Sequence, residues 1–247
     1  MYRLLAGTAG ALAIVAGLMV PGVPLEHSPQ GGSIAVAVGH AHHSNSLDTA
    51  SSAIPSAANP AVTDVAQATT RSRAAGAKAI SSSIATSDCD GCSGQSTAFQ
   101  VVYFDGSGAA LADNTAAAWS SCAGCASSAV SVQLVVARRA QPMTVNNRAV
   151  ALNVNCTECG TTSAAIQFLI AGGSHRDLSA QAKNMISQIQ AQLADRLASS
   201  ARSGAQRAQG PKAKALVDDA ASRLAAIILS DVGSTITRRS VDVQVGK

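Results

Sequence analysis

Three segments of the chain alternate between apolar and polar residues, and each carries a glutamine on its polar face. They are Ala98–Tyr103, Ser131–Val136 and Ala165–Ile170, with the glutamines Gln100, Gln133 and Gln167. A period of two residues is typical of a β-strand that buries one face. The apolar faces should therefore form a core. The glutamines should either face water, which is the simpler interpretation, or form a ladder of amide hydrogen bonds between neighbouring strands.

A pair of cysteines precedes each of these strands. The pairs are Cys89-Asp-Gly-Cys92, Cys122-Ala-Gly-Cys125 and Cys156-Thr-Glu-Cys159. Successive pairs start 33 and 34 residues apart, and each glutamine lies eight residues after the second cysteine of its pair. Further alternating segments precede the second and third pairs, at 114–119 and 148–155. A fixed period indicates internal repeats, each made of a strand, a cysteine turn and a strand.

The predicted fold class is α+β. Two strands joined by a short turn resemble a hairpin, so the three repeats predict an antiparallel β-repeat sheet, or a small sandwich, with Cys-x-x-Cys turns. Many of the faces opposite the large apolar residues consist of alanine or asparagine, so the layers should approach one another closely.

The period changes after the third repeat. Apolar residues recur at helical spacing over 178–197 and again over 217–232, which predicts an αα-hairpin. Ser174 is the expected cap of the first helix, with Asp177 in the capping-box position three residues later. Alternation over Ser240–Val245 predicts a final edge strand.

The chain therefore divides into four regions. An arginine near the start, an uncharged apolar stretch and a Pro-Gly-Val-Pro segment are the features of a secretory signal peptide, although the stretch could also be retained as a membrane anchor. The expected regions are a signal peptide region at 1–41, an Ala/Ser-rich linker at 42–78, a three-repeat β domain at 79–173, and a helical hairpin with a terminal strand at 174–247.

Composition explains why the cysteines matter. The chain is 47% apolar but only 2% aromatic and 13% charged, because alanine and small aliphatic residues supply its apolarity. Small side chains bury little area, so the core needs covalent or oligomeric support. An exported protein meets an oxidising compartment, where six cysteines are expected to form disulfides. Pairing within each turn and pairing between repeats both remain open.

Two other roles for the cysteines are alternatives. Two Cys-x-x-Cys pairs could bind a zinc ion, but the number of pairs is odd and the compartment is oxidising. The pairs could also exchange thiols and disulfides. A reactive pair is normally at a helix N-terminus with positive charge nearby, whereas each pair here leads into a strand and two of them are flanked by Asp or Glu.

No other catalytic or ligand-binding motif stands out. The serine-hydrolase, zinc-protease, phosphate-loop and dinucleotide motifs are absent. His40-Ala-His-His43 could hold a metal but overlaps the processing region, and His175 is isolated near a helix start. The net charge of +4 is concentrated after residue 172 without interleaved aromatics, so nucleic acid is not an expected partner. Membrane contact is expected only through an uncleaved N-terminal segment, and self-association stays open.

The third repeat resembles a loose group of secreted proteins from high-GC bacteria. These proteins carry Asn-x-Ala-x-Ala-x-Asn-x-x-Cys-x-x-Cys, then Ala-x-Ala-x-Gln, and an amphipathic helical tail. The matching run here begins at Asn147 and ends at Gln167, and the likeness extends, more weakly, over residues 89–232. No activity is established for the group. The resemblance implies an exported, cysteine-stapled envelope protein and supplies no catalytic residues. We therefore expect a secreted or cell-surface protein of structural or interaction type, without catalytic activity and without a cofactor unless the cysteines bind zinc.

Overall fold

The computed structural model describes residues 32–35, 46–139, 141–202 and 206–246. Within these ranges the chain forms β-strands first and helices near the end. The strands are β1 (Gly32–Ala35), β2 (Ser46–Ala53), β3 (Ala61–Ser72), β4 (Ala77–Ser87), β5 (Ser93–Phe104), β6 (Ala110–Ser120), β7 (Ala126–Ala137), β8 (Met143–Asn153), β9 (Gly160–Ala171) and β10 (Arg238–Val245). The helices are α1 (Ala180–Arg202) and α2 (Gln206–Val232).

The strands form two sheets that alternate along the chain. Sheet A has the order β1-β3-β5-β7-β9-β10, and sheet B has the order β2-β4-β6-β8. Every neighbouring pair is parallel except β9 and β10. The chain therefore passes from one sheet to the other and back in each repeat, as in a β-solenoid. The predicted antiparallel sheet or sandwich was wrong, while the α+β class and the repeats agree with the structure.

The constant period explains the parallel arrangement. Gln100 pairs in register with Gln133, and Gln133 with Gln167, so equivalent residues of successive repeats stack on one another. One column consists of glutamine in all three repeats, and others hold different apolar residues, such as Val101, Leu134 and Phe168. The hairpin interpretation failed because the two strands of one repeat do not pair with each other. The cysteine turn carries the chain across to the opposite sheet.

The solenoid begins earlier in the chain than the sequence indicated. Much of the 42–78 segment, predicted as a linker, forms β2 and β3, which pair in parallel with β4 and β5. Its residues are mainly Ala, Ser and Thr, which lack the large apolar side chains that mark a strand. They are suitable here because the space between the sheets is narrow and small side chains fill it.

Helices cover the outer side of sheet A. Side chains of β5, β7 and β9, among them Phe99, Leu134 and Phe168, form one apolar cluster with Ile186 of α1 and Leu224 of α2. The two helices also pack on each other within this cluster. Sheet A is therefore buried on both faces, between sheet B and the helices.

The ends of the helical region differ in detail from the prediction. The hydroxyl of Ser179, not Ser174, caps α1 by accepting a hydrogen bond from the amide of Ala182. Helix α2 begins at Gln206, well before the apolar stripe at 217–232 that predicted it, and contains Pro211. Among the described residues, no helix combines the length and apolarity needed to span a bilayer.

Strand β10 closes the C-terminal end of the solenoid. It pairs antiparallel with β9, and its Asp242 accepts a hydrogen bond of 2.8 Å from the amide of Ala149 in β8. Strand β8 is the last strand of sheet B, and unpaired backbone groups on such an edge can pair with strands of other chains. The Asp242 carboxylate binds one of these backbone groups, so β10 and its side chains act as a cap.

Candidate functional site

The six predicted cysteines lie along one corner of the solenoid, where sheet B passes into sheet A. The sulfurs within each turn are at bonding distance, and the Cα atoms are 5.3, 5.7 and 5.9 Å apart, in the range of a disulfide. The pairs are Cys89–Cys92, Cys122–Cys125 and Cys156–Cys159. This agrees with the expectation of disulfides and selects the pairing within each turn over pairing between repeats.

The third residue of each cysteine turn has a left-handed backbone. Gly91 and Gly124 have φ values of 70° and 65°, and Glu158 in the third turn has a φ value of 58°. Glycine adopts this conformation at no steric cost, whereas a residue with a Cβ is strained. Backbone hydrogen bonds continue from turn to turn, with the Gly91 amide donating to Ala123 and the Gly124 amide to Thr157. The three turns thus stack as a continuous ladder.

The cysteine corner is largely closed to solvent. Cys92 and Cys125 are 1% and 0% exposed. The Cys122 sulfur lies 3.2 Å from the Ser87 carbonyl oxygen, and the Cys125 sulfur lies 3.2 Å from the Cys89 carbonyl oxygen. Each cysteine pair lies between a strand of sheet B and a strand of sheet A.

The repeated glutamines lie inside the solenoid, between the two sheets. Gln100 and Gln133 are fully buried and Gln167 is 3% exposed, so they do not face water. The Gln133 Nε2 donates to Gln100 Oε1, and the Gln167 Nε2 donates to Gln133 Oε1, each at 2.6 Å. Gln100 Nε2 also donates to the Ile80 carbonyl of sheet B at 3.0 Å. The glutamines form an amide ladder along the solenoid axis and link the two sheets.

A second polar network runs beside the glutamine ladder. Asn114 Nδ2 donates to the Asn147 side-chain oxygen at 2.7 Å, and Ser131 donates to the Asn114 side-chain oxygen at 2.6 Å. The Ser131 and Ser81 hydroxyls are 2.9 Å apart. Buried polar groups are tolerated when they are hydrogen-bonded. These contacts replace much of the apolar packing that a core of larger residues would provide.

An ionic cluster joins the opposite corner of the solenoid to the start of the helical region. Arg71 binds Asp105 and Asp177 at 2.8 and 2.7 Å, and Arg138 lies 3.1 Å from Asp177. Partial burial disfavours the charged form of Arg71, but its hydrogen bonds to Asp105 and Asp177 outweigh this and raise its pKa. Asp177, predicted to be part of a capping box, is thus bound by two arginines.

Tyr103 lies directly beneath this cluster. The Arg71 guanidinium is 4.7 Å from the centre of the Tyr103 ring, and the phenol oxygen accepts a hydrogen bond of 2.7 Å from the Leu178 amide. Burial raises the pKa of Tyr103. The neutral phenol and the ion pairs hold the entry to α1 against the sheet, which is a structural role.

The outer face of sheet B differs from the rest of the described surface. We use this name for the side chains of β2, β4, β6 and β8, and of the residues just after them, that point away from sheet A. Its half near the cysteine corner, called the apolar half, exposes Ile54, Ile84, Trp119, Val150, Leu152 and Val154. Among the described residues, the other exposed large apolar side chains are Met185 and Leu229, on the helices.

The sequence contains a pattern that indicates this face, namely large residues at alternate positions of the strands of sheet B. Ile84, Ala117 and Val150 are paired in register across three strands, as are Thr86, Trp119 and Leu152. The residues between them point inward and are small. Alternation of this kind shows that the two faces of a strand differ, and here the larger residues lie on the face that points away from sheet A.

The remaining candidates from the sequence do not assemble into a site. His175 lies in the loop before α1, and neither ring nitrogen has a hydrogen-bond partner within the described ranges. In the part of the chain that the structure describes, no group of three or more His, Cys, Asp or Glu side chains is placed to hold a metal ion. The cluster His40-Ala-His-His43 lies outside the described residues.

Comparison of the chain with protein-family models, curated proteins and solved structures finds no match. The functional interpretation therefore depends on the structure of this chain: a disulfide-linked solenoid with a buried polar interior and one exposed, partly apolar sheet face.

Proposed function

We propose that the protein is a secreted or cell-surface structural protein that acts through its surface and has no catalytic activity. The observation that carries this proposal is the row of three disulfides along one corner of a repetitive β-sheet. Disulfides persist in oxidising compartments and are rare in the cytosol, so their presence supports export. The N-terminal apolar stretch supports the same conclusion from the sequence.

The arrangement of the disulfides supports a stapling role. Each closes a ring of four residues, for which the chain-entropy relation gives about 2 kcal/mol of stabilisation. Three such contributions are comparable with the net stability of a small domain. A solenoid filled with alanine, serine, asparagine and glutamine buries less apolar area than an ordinary core, so covalent closure of its turns offsets part of that deficit.

The surroundings of the cysteines support a structural role over thiol exchange. Four of the six cysteines are buried, namely Cys92, Cys122, Cys125 and Cys159. Exchange requires a thiolate that can reach a substrate disulfide, and no basic side chain stands between or beside the cysteines of any pair. The cysteines are therefore suited to holding the turns together.

The test is the intact mass of the protein exported by its own host, alkylated with and without prior reduction. We expect no alkylated cysteine in the untreated protein and six after reduction. Peptide mapping should then find Cys156 bonded to Cys159, and the other pairs likewise. Six free thiols together with a bound zinc ion would contradict the stapling role and favour a zinc-stabilised module. Measurable turnover in an insulin-reduction assay would favour an oxidoreductase.

A further inference from the structure

The outer face of sheet B combines two halves of different chemistry. The apolar half contains the residues defined above. The other half, called the charged half, carries Asp48, Lys78, Asp113 and Arg148 on four successive strands. Large exposed apolar patches with a polar border are typical of interaction sites. The outer face of sheet B therefore has the composition of an interaction surface.

We propose that this face binds a second copy of the same chain and forms a two-fold symmetric dimer. The inference rests on the proposed interaction role and names its surface and its partner. The area of the face, the position of its apolar residues and the signs of its charges all fit such a dimer.

The area of the face is sufficient for a stable dimer. Three of its strands, β4, β6 and β8, are 11 residues long. Four strands about 4.8 Å apart, with about 3.3 Å per residue, cover roughly 700 Å² in projection. A standard protein interface buries about 800 Å² of accessible surface on each partner, and accessible surface exceeds the projected area. One complete face can therefore supply a standard interface.

The symmetry of the dimer follows from the position of the apolar half. When two copies meet face to face, a two-fold axis parallel to the strands keeps both cysteine corners at the same end. The two apolar halves then cover each other. An axis perpendicular to the strands would place the apolar half of one copy on the charged half of the other, which would bury charges against apolar side chains.

The strand-parallel axis reverses the order of the strands, so β2 lies across from β8 and β4 lies across from β6 of the second copy. When the register of β2 is continued by one residue past Ala53, Ile54 has the same height along the strands as Leu152 of the second copy. Trp119 comes to lie beside Ile84 of the second copy. These contacts would bury the residues that the single chain exposes.

The charges on the face are complementary under the same symmetry. Two acidic and two basic residues give the four positions no net charge. Lys78 comes within two residues along the strand, about 6.6 Å, of Asp113 of the second copy. Among the described residues, the Asp113 carboxylate forms an ion pair with Arg148 at 3.6 Å, which is long for an ion pair. A lysine from a second copy would improve that pairing.

The tryptophan makes a direct test available. Trp119 is the single tryptophan of the chain and lies on this face, 37% exposed. We would measure iodide quenching of its fluorescence and the sedimentation mass over the same protein concentrations, from about 0.1 to about 100 µM, the range in which such dimers dissociate. The sample is the exported protein with its disulfides verified by mass. As the concentration rises, we expect the sedimentation mass to double and Trp119 to become protected from iodide over the same range.

Three results would overturn the dimer. The protein could stay monomeric with Trp119 quenchable throughout. Trp119 could be protected in the monomer, which would mean that another segment of the same chain covers the face. A dimer could form while Trp119 stays quenchable, which would place the interface elsewhere. None of these results affects the stapling proposal, because that proposal depends on the disulfides alone.

Substitutions then test the surface itself. Leu152→Glu should raise the dissociation constant of the dimer more than about tenfold, because it places an unpaired charge in the interface. Leu229→Glu is the matched control, because Leu229 is similarly exposed but lies on α2. Equal weakening by both variants, or no weakening by Leu152→Glu, would contradict the proposal. Circular dichroism checks that both variants are folded.

A charge exchange tests the symmetry. Lys78→Asp and Asp113→Lys should each weaken the dimer, because each places like charges across the interface. The double variant should recover at least part of the lost affinity. If it recovers none, the strand-parallel axis is wrong.

Discussion

The two layers on either side of sheet A are built from different materials. Between sheet A and the helices, Phe99, Leu134 and Phe168 pack against aliphatic side chains of α1 and α2. Between sheet A and sheet B, the central layers consist of glutamine, asparagine, serine and alanine, many of them fully buried. The first layer is an ordinary apolar core, whereas much of the second is held by hydrogen bonds between stacked identical side chains.

The difference shows what repetition makes available. Buried amides and hydroxyls are unfavourable unless they are paired. In this solenoid the glutamines occupy one column of the register, so the central glutamine can donate to one neighbour and accept from the other. The helix-covered layer has no such regularity and depends on apolar area. We therefore expect the two layers to respond differently to substitution.

Truncation in the helix-covered layer should have the largest effect. Phe168 is fully buried in the centre of that layer. Phe168→Ala should lower the free energy of unfolding by about 4 kcal/mol, because it removes a large apolar side chain and leaves a cavity. Urea denaturation measures the loss. Met185→Ala, on the exposed side of α1, is the control and should change stability by less than about 0.5 kcal/mol. Equal losses would mean that the layer is not the apolar core.

Breaking the amide ladder should have the next largest effect. Gln133→Leu leaves the Gln100 side-chain oxygen without its donor and the Gln167 amide with only its longer hydrogen bond, of 3.4 Å, to the Ala112 carbonyl. We expect a loss of about 3 kcal/mol, since each unsatisfied buried group costs about 1–3 kcal/mol. Replacing all three glutamines with leucine should cost less than the sum of the three single variants, because no amide of the ladder is then left without its ladder partner. Additive losses would show that the ladder members are not coupled.

Removing one disulfide should have a smaller effect. Cys122→Ala combined with Cys125→Ala should lower the free energy of unfolding by about 2 kcal/mol, as expected for a four-residue ring. The comparison is unfolding of the wild-type and double-variant proteins, each with and without reductant. Reduction should affect the variant less than the wild type. If the wild-type protein has the same free energy of unfolding with and without reductant, the disulfides do not stabilise the polar layer.

The smallest expected effect is a gain in stability. Glu158 holds a left-handed backbone at the position that glycine occupies in the other two turns. Glu158→Gly should therefore raise the free energy of unfolding by about 1 kcal/mol, because it removes the strain on Cβ. Gly124→Ala should produce a loss of similar size at the equivalent position. Thermal denaturation under oxidising conditions measures both, and a loss in the Glu158 variant would contradict the interpretation.

Part of this architecture could be predicted from the sequence because it is local. The strand around each glutamine, the cysteine turn and the helical stripes each depend on a few neighbouring residues, and the structure contains them all. The helix cap was misplaced by five residues, since Ser179 and Ser174 are both suitable caps and only the packing of the helix on the sheet selects between them. The segment 42–78 was missed because small polar residues form a strand only where a narrow interior accepts them.

The candidate surface could not be predicted for a different reason. Alternation indicates that a strand has two unlike faces, but it does not say which face meets another layer. In β6 the alanines Ala116 and Ala118 point inward, and Trp119 points out. A rule that places large apolar residues inside would have given the opposite assignment for this strand.

The sequence by itself determined the repeat period, the positions of the turns and the pairs of cysteines that can close them, because all of these depend on residues close together in the chain. Only the tertiary structure decided that equivalent strands pair in parallel across about 33 residues, that the glutamines lie inside, and that one sheet face stays uncovered by the described residues. These features depend on which distant segments meet, and the width of the space between the sheets selects small polar side chains for it.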